Sequence, residues 1–356
     1  MNPIILEDLI DITSRGLPFG ELRGKTVLIS GANGFLPAYM VETLLHFNEI
    51  ASQDSNRSKP TRLIALARNA QKAQQRFAHY LGRPDLELLI QDVCDPIHVP
   101  GPVDYVIHAA GQASPKYYGA DPAGTLAAST LGTHRLLELA REKNSRGFLF
   151  FSSGEIYGHL AASQIPTAET EYGSLDPTAV RSCYAEGKRA GETMCIAWQH
   201  QHRVPAKIVR PFHTYGPGMA LDDGRVFSDF VADIVDGRDI MMKSRGEALR
   251  PYCYLSDAVE GFFRVLLLGS NGLAYNVGNP ANEVTVAELA HKLAGLFPEK
   301  NLKVIQSKEP ASAGYIRSTF QRTCPRIDRM RDLGWNPLHS IESGFKRTVM
   351  SYLWAP

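Results

Sequence analysis

"SGANGFLPAYM", residues 30–40, completes the β-branched run "TVLIS" (26–30) and opens an amphipathic stretch, so a strand passes into a helix through a glycine turn. Gly31 and Gly34 let the main chain come close to an anion, while amide N–H groups at the helix N-terminus face it, which is how such turns hold a dinucleotide pyrophosphate. A third glycine, serving close helix-on-strand packing, is expected where Pro37 stands. Proline in the first helical turn removes an N–H that has no intrahelical acceptor, so the anion site survives the change. A turn of this GxxGxxP form also occurs for geometric reasons alone, so binding needs a second, independent signal.

Outward from the turn, short apolar runs alternate with longer amphipathic segments as far as Arg210. Strands are expected at 26–30, 62–67, 86–91, 104–110, 147–153 and 206–211, with helices over 34–48, 122–143 and 181–201. That alternation gives an α/β fold, a doubly wound parallel sheet that binds ligands at the carboxyl ends of its strands. After Pro211 the pattern turns irregular, through "YGPGMALDDGR" (215–225) to the helical "VFSDFVADIVDG" (226–237) and "LGWNP" (333–337). The expected division is an arm over 1–24, a dinucleotide-binding domain over 25–210, and a smaller substrate-binding lobe over 211–356 whose segments interleave with it. The polar stretch 48–62 reads as a surface loop.

The 356 residues suffice for a substantial core. Lys and Arg total 38 against 37 Asp and Glu, which leaves no global field to draw in nucleic acid or an anionic membrane. Five scattered cysteines, an acidic rather than basic N-terminus and the lack of a long apolar run predict a protein of the reducing cytoplasm. No metal is expected: His200 and His202 are two apart and face different sides of a helix.

The second signal lies in "CYAEGKRAGETM" (183–194), where Tyr184 and Lys188 are four apart and share a helix face. An ammonium beside a phenol favours the phenolate, fitting Tyr184 to exchange a hydroxyl proton during hydride transfer. Such pairs are also common on solvated helices. Upstream, however, "FFSSGEIYG" (150–158) ends a predicted strand and brings Ser153, able to hydrogen-bond the reacting oxygen, and Glu155, able to act on a neighbouring carbon. Turn, Ser, Tyr and Lys in this order point to an oxidoreductive step at a hydroxyl-bearing carbon.

Together with "HAAGQASPKYYGADPAGTL" (108–126), "RSCYAEGKRAGETMC" (181–195), "RPYCYLSDAVEG" (250–261) and "YNVGNP" (275–280), these motifs make the chain resemble the extended short-chain dehydrogenase/reductases, the NAD-dependent epimerase/dehydratase family. Within it the chain looks most like the UDP-glucuronate decarboxylases. The resemblance implies a Rossmann domain with Tyr184 as acid/base, Lys188 as its partner and ribose anchor, Ser153 on the substrate hydroxyl, and Glu155 near C5 and the carboxylate. It implies cofactor contacts from Gly31, Asn33, Gly34, Phe35, Leu36, Arg68, Asp92, Val93, Ala109, Ala110 and Lys188, with Asp92 facing adenine. Ser114, Tyr118, His213, Arg225 and Arg250 are the implied substrate contacts.

The implied reaction is oxidation at C4 of a nucleotide sugar followed by decarboxylation to a pentose. A 4-epimerase, a 4,6-dehydratase and a non-catalytic NAD(P)-binding sensor are the alternatives. NAD is the family's cofactor, but Ala67 stands where an acidic ribose anchor is usual and Arg68 follows it, which also suits the 2′-phosphate of NADP. A homodimer through the helices bearing Tyr184 and Lys188 is implied. The chain departs from the family pattern at Pro37, at Ser129 and His213 in place of Asn, and at Gly218 in place of Arg; Gly154 stands where dehydratases carry Asp.

Overall fold

The computed structural model describes residues 1–53, 59–306 and 320–354. Helix α1 (Pro3–Ser14) precedes β1 (Thr26–Ser30), α2 (Phe35–Gln53), β2 (Arg62–Ala67), α3 (Ala70–Arg76), β3 (Leu86–Ile90) and β4 (Tyr105–His108). Then come α4 (Lys116–Ala120), α5 (Pro122–Glu142), β5 (Gly147–Phe151), α6 (Ser182–His202) and β6 (Ala206–Pro211). The remainder comprises β7 (Thr214–Tyr215), α7 (Val226–Val235), β8 (Ile240–Met242), β9 (Leu249–Pro251), β10 (Cys253–Tyr254), α8 (Leu255–Leu268) and β11 (Ala274–Val277). It ends with β12 (Glu283–Thr285), α9 (Val286–Gly295), β13 (Val304–Gln306), α10 (Asp328–Asp332) and α11 (Ile341–Leu353).

Seven strands form one parallel sheet in the order β11-β6-β5-β4-β1-β2-β3. Every residue of β1, β4 and β5 is buried, as a sheet covered on both faces requires, which is why their sequences read as unbroken apolar runs. One face packs Leu9, Tyr39, Leu44 and Phe262 from α1, α2 and α8; the other packs Leu136, Leu137 and Cys195 from α5 and α6. Chain order reverses between β1 and β4, which opens a crevice at their carboxyl ends. A separate cluster around Phe230, Tyr252, Leu289 and Phe345 is built from α7, α9, α11 and the short strands.

The six expected strands are present, the fourth and fifth ending two residues early, so that Ala109, Ala110, Ser152 and Ser153 stand in loops at the strand ends. The segment read as a loop from residue 48 instead begins as helix: α2 continues to Gln53, and residues 54–58 lie outside the described residues. Polarity misled there because Asn48 is buried, its amide donating to Thr61 O and Asp85 Oδ2, each at 2.8 Å, while Thr61 N donates to Asn48 Oδ1 at 2.9 Å. Among the described residues no helix is long and apolar enough to cross a membrane, and no cluster of three or more His, Cys, Asp or Glu could hold a metal.

The N-terminal arm is tied to the sheet through Asp257 on α8, which is fully buried. It accepts from Arg15 Nη1 at 2.8 Å and from the His339 amide at 2.9 Å. Burial alone would raise its carboxyl, but the His339 hydrogen bond and charge, with Arg15, outweigh that and hold it below the usual range. It therefore stabilises the fold at neutral pH, and that contribution is lost as acid protonates the carboxylate. Asp257→Ala removes the acceptor of the His339 amide and one of the two carboxylates on Arg15, which keeps Asp11, and should cost about 1–3 kcal/mol in urea unfolding; a loss under ~0.5 kcal/mol would show that the arm is held by its other ties, among them Asp8 with Tyr39, Tyr254 and Arg347.

Candidate active site

The crevice is a cleft of about 1290 Å³. Pockets for one small ligand run to about 1000 Å³, so this one has room for a dinucleotide and a second molecule. Its floor is the turn after β1. Gly31 sits in the left-handed region at φ +65°, and a Cβ there would lie 2.7 Å from Ala110 Cα, so only glycine lets the turn press against the end of β4. The first helical bond of α2 is donated by Ala38 to Gly34 O at 3.0 Å, so Pro37 lacks an N–H that the helix does not use. The cradle fits an anion at a helix N-terminus.

Beneath the turn runs a neutral polar chain. His108 is fully buried, with Nδ1 2.9 Å from Ser30 Oγ and Nε2 3.0 Å from Thr133 Oγ1. Burial, and then the charge of Lys188, push its pKa down to about 3, so the ring stays neutral. Ser30 Oγ in turn accepts the Ala110 amide at 3.1 Å, which fixes the backbone facing Gly31.

Tyr184 and Lys188 project from α6 into the same cleft, 6% and 3% exposed. Helix α6 comes this close because Gly191 carries no side chain: a Cβ there would lie 2.3 Å from the Phe150 ring. Lys188 Nζ stands 5.1 Å from that ring's centroid and 5.8 Å from the Tyr184 ring's. Burial lowers the ammonium to about 8. Burial, with the Glu155 carboxylate second, raises the Tyr184 phenol to about 12; the Ser153 hydrogen bond and Arg225 pull the other way. Desolvation thus sets the direction of the Tyr184 shift, and Lys188 is not among the groups that pull the phenol down.

Ser153 Oγ accepts the Glu155 amide at 3.1 Å, and Glu155 Oε2 accepts from Arg181 Nη1 at 3.1 Å. On the facing side Arg225 pairs with Asp223, and Ser114 Oγ donates to Asp223 O at 2.5 Å. Arg250 is spent on backbone, with Nη2 donating to Phe320 O at 2.6 Å and Nη1 to Leu249 O at 2.7 Å. His213, at φ +27°, packs edge-on to Tyr252 and has a buried Nδ1 without a partner. Burial, then Arg250 and Arg225, lower its pKa well below the usual value, so it is neutral.

Most of the residues singled out from sequence therefore converge: Asn33, Phe35, Leu36, Arg68 and Ala109 line the cleft with the glycines, and Ser114, Ser153, Glu155, His213, Arg225 and Arg250 line it with Tyr184 and Lys188. Four stand behind the wall. Val93 packs against the helix at Gly132, and Ala110 backs the glycine turn. Asp92 accepts the Cys94 amide at 2.9 Å and lies 3.6 Å from Arg68 Nη1. Tyr118 stacks on Tyr184 at 5.1 Å between centroids and donates its hydroxyl to Ala113 O at 3.0 Å, so it backs the Tyr184 ring and does not line the cleft. The reading missed Arg181 and Tyr252, both cleft residues inside quoted motifs. For Arg181 the signal was its place one helical turn before Tyr184.

A nicotinamide dinucleotide fits this floor, and residues 27–278 match the model of the NAD dependent epimerase/dehydratase family. The chain belongs to that family. It is an enzyme of a nicotinamide-dependent class. It is 32% identical over 320 residues to UDP-glucuronic acid decarboxylase 6 of Arabidopsis thaliana, covering 89% of this chain and 86% of that protein. A UDP-glucose 4-epimerase of Thermotoga maritima superposes with a TM-score of 0.77 at 22% identity, covering 92% of this chain and 98% of its own. A UDP-glucuronic acid 4-epimerase of Bacillus cereus, solved with UDP-4-deoxy-4-fluoro-glucuronic acid and NAD, gives 0.75 at 17% identity, covering 92% and 99%. At these identities the two structures establish the shared fold.

Two substitutions separate binding from catalysis. Gly31→Ala should abolish dinucleotide binding measured by calorimetry, because the methyl meets Ala110 backbone; retained binding would mean that the cofactor lies elsewhere. Lys188→Met removes a buried ammonium whose depressed pKa marks an unfavourable charge at pH 7, where it is ionised in both folded and unfolded chains. Thermal stability should therefore rise by about 1–3 kcal/mol while turnover is lost.

Proposed function

We propose that this enzyme oxidises a UDP-sugar at C4 and decarboxylates UDP-glucuronate to a UDP-pentose. The observation that carries the reading is Glu155 beside Tyr184, with no neighbouring acid at residue 154. A Cβ on Gly154 would lie 2.8 Å from the Phe212 ring, so the ring fills the space in which a dehydratase-type aspartate would stand. The matched decarboxylases support the same choice.

A nicotinamide dinucleotide, its pyrophosphate held at the glycine turn and its ribose by Lys188, would supply a hydride acceptor when oxidised. Ser153 and Tyr184 hold the sugar O4, and Tyr184 takes its proton as the C4 hydrogen leaves as hydride. The product is a 4-ketone β to the carboxylate. The C5–C6 bond then breaks, its electron pair passing into the ketone as an enolate while C6 leaves as CO2. Glu155 oversees the proton added at C5, and Tyr184 returns its proton to O4 as hydride returns to C4. The sum is UDP-glucuronate plus one proton giving UDP-pentose plus CO2. The segment after Pro211 supplies the far wall of the cleft, through His213, Arg225 and Arg250.

NAD is the proposed cofactor. NADP is a second reading, favoured by Ala67 at the end of β2 and by the exposed Arg68 guanidinium at the cleft. Separate titrations with the two nucleotides decide between them. We further propose a cytoplasmic homodimer: the five cysteines are free thiols, and Leu131 on α5 and Ile196 on α6 are exposed apolar side chains on the helices expected to pair.

The purified protein incubated with UDP-glucuronate should release CO2; a stable 4-keto sugar or a C4 epimer instead would overturn the decarboxylase reading. Tyr184→Phe should lower kcat by roughly 100-fold or more with substrate affinity preserved. Glu155→Gln should give a burst of reduced-nicotinamide absorbance without CO2, and normal decarboxylation in that variant would remove Glu155 from the mechanism.

A further inference from the structure

The loop from Gly216 to Arg225 forms part of the cleft wall and carries Asp223 and Arg225, which are paired with each other. Hydrogen bonds hold it at several points. Ser114 Oγ donates to Asp223 O at 2.5 Å, Lys116 Nζ donates to Asp222 O at 3.2 Å, and the Tyr352 hydroxyl on α11 donates to Met219 O. At Gly218 the neighbour comes instead from the helices that follow β1 and β2. Arg76, the last residue of α3, sets Nη1 3.4 Å from where a Gly218 Cβ would be, while its Nη2 donates to Glu42 Oε2 on α2 at 2.8 Å.

Gly218 stands where the family pattern carries arginine, and its φ of +82° is one that an arginine would adopt only with strain. A guanidinium nonetheless abuts this point, brought by a different element. Its partner Glu42 is 5% exposed. Burial raises that carboxyl to about 7, against the pull of Arg76. A buried ion pair of this kind adds little net stability over an apolar pair of similar volume. Its contribution is geometric: one nitrogen of a rigid planar group is spent on Glu42, and the other edge bears on the loop backbone.

We propose that Arg76 is a positioning residue for the nucleotide-sugar wall of the cleft: anchored by Glu42, it replaces the arginine missing at residue 218 and braces the Gly216–Arg225 loop against α2 and α3. The proposal rests on the nucleotide-sugar reading above. Helix α2 starts at the glycine turn and α3 follows Arg68, so the brace ties the substrate wall to the two helices that flank the cofactor's end of the cleft. Without it the loop keeps its ties at Met219, Asp222 and Asp223 but gains freedom at Gly218. Binding then carries the cost of ordering Asp223 and Arg225.

The test compares Arg76→Met, Arg76→Lys and the double variant Arg76→Met/Glu42→Gln, each in the Tyr184→Phe protein, in which turnover is blocked. Calorimetry follows NAD and then, with NAD bound, UDP-glucuronate; hydrogen exchange follows the amides of residues 216–225. Arg76→Met alone leaves Glu42 unpaired and should lower thermal stability, whereas the double variant strands no charge and should melt close to the parent. In both, UDP-glucuronate affinity should fall about 10-fold and exchange at 216–225 should quicken, with NAD affinity kept within about twofold. Arg76→Lys, which keeps the charge and most of the reach, should recover part of the loss. A double variant with parental UDP-glucuronate affinity and parental exchange overturns the assignment. Equal loss of NAD and UDP-glucuronate affinity also overturns it, because a pair that only holds α2 to α3 acts on the cofactor. A parent that does not bind UDP-glucuronate sinks the nucleotide-sugar reading, and exchange at 216–225 then decides on the brace by itself.

Discussion

The chemistry of this protein depends on how closely α6 lies on β5. Gly191 sets that distance by admitting the Phe150 ring, while Gly187 sets the approach of α6 to α5, where a Cβ would come within 3.2 Å of the Ser129 Cβ. A larger residue at 191 would lift the helix off the sheet and carry Tyr184 and Lys188 away from the strand ends. The same approach dries both groups. It holds the ammonium down and the phenol up. Burying a lysine this fully is unfavourable for folding, and the sheet and its two helical layers offset that cost.

The glycine turn is braced from beneath by a buried polar chain. Ser30 at the end of β1, His108 at the end of β4 and Thr133 on α5 form one hydrogen-bonded chain, and Ser30 also positions the amide that faces Gly31. A charged imidazole would stand against Lys188; the neutral one instead accepts and donates along the chain. A buried polar network that is fully satisfied specifies one arrangement, and here it fixes the glycine turn against the end of β4 and against α5.

How much was legible in the sequence follows from what each element is made of. Strands β1, β2, β4 and β5 were readable to within two residues because burial on both faces demands nearly unbroken apolar runs, and the turn at Gly31 because only glycine fits it. The strands after Pro211 run to only two to four residues and depend on partners far away in sequence, so no periodicity marks them. Asn48 misled because its polarity is consumed inside the fold. Tyr118 was grouped with the ligand contacts because motif position cannot tell the ring that touches a ligand from the ring stacked behind it. Arg181 escaped notice although it stands one helical turn before Tyr184, because only the fold shows its side chain reaching the cleft and Glu155.

The departures from the family pattern make sense when followed across elements rather than along motifs. Pro37 is absorbed by the first turn of α2, where the helix needs no donor. At Gly154 the missing acid is no simple deletion, since Phe212 from the loop after β6 fills the space and any side chain there would collide with it. Gly218 lacks the arginine of its motif, yet a guanidinium stands close by: Arg76 from α3 comes within 3.4 Å of where a Cβ would be. That cation is held by Glu42 at 2.8 Å and does not line the cleft, so the wall at residue 218 is left as glycine backbone. His213, neutral and with a free ring nitrogen, completes a wall suited to hydrogen-bonding a ligand rather than to moving a proton.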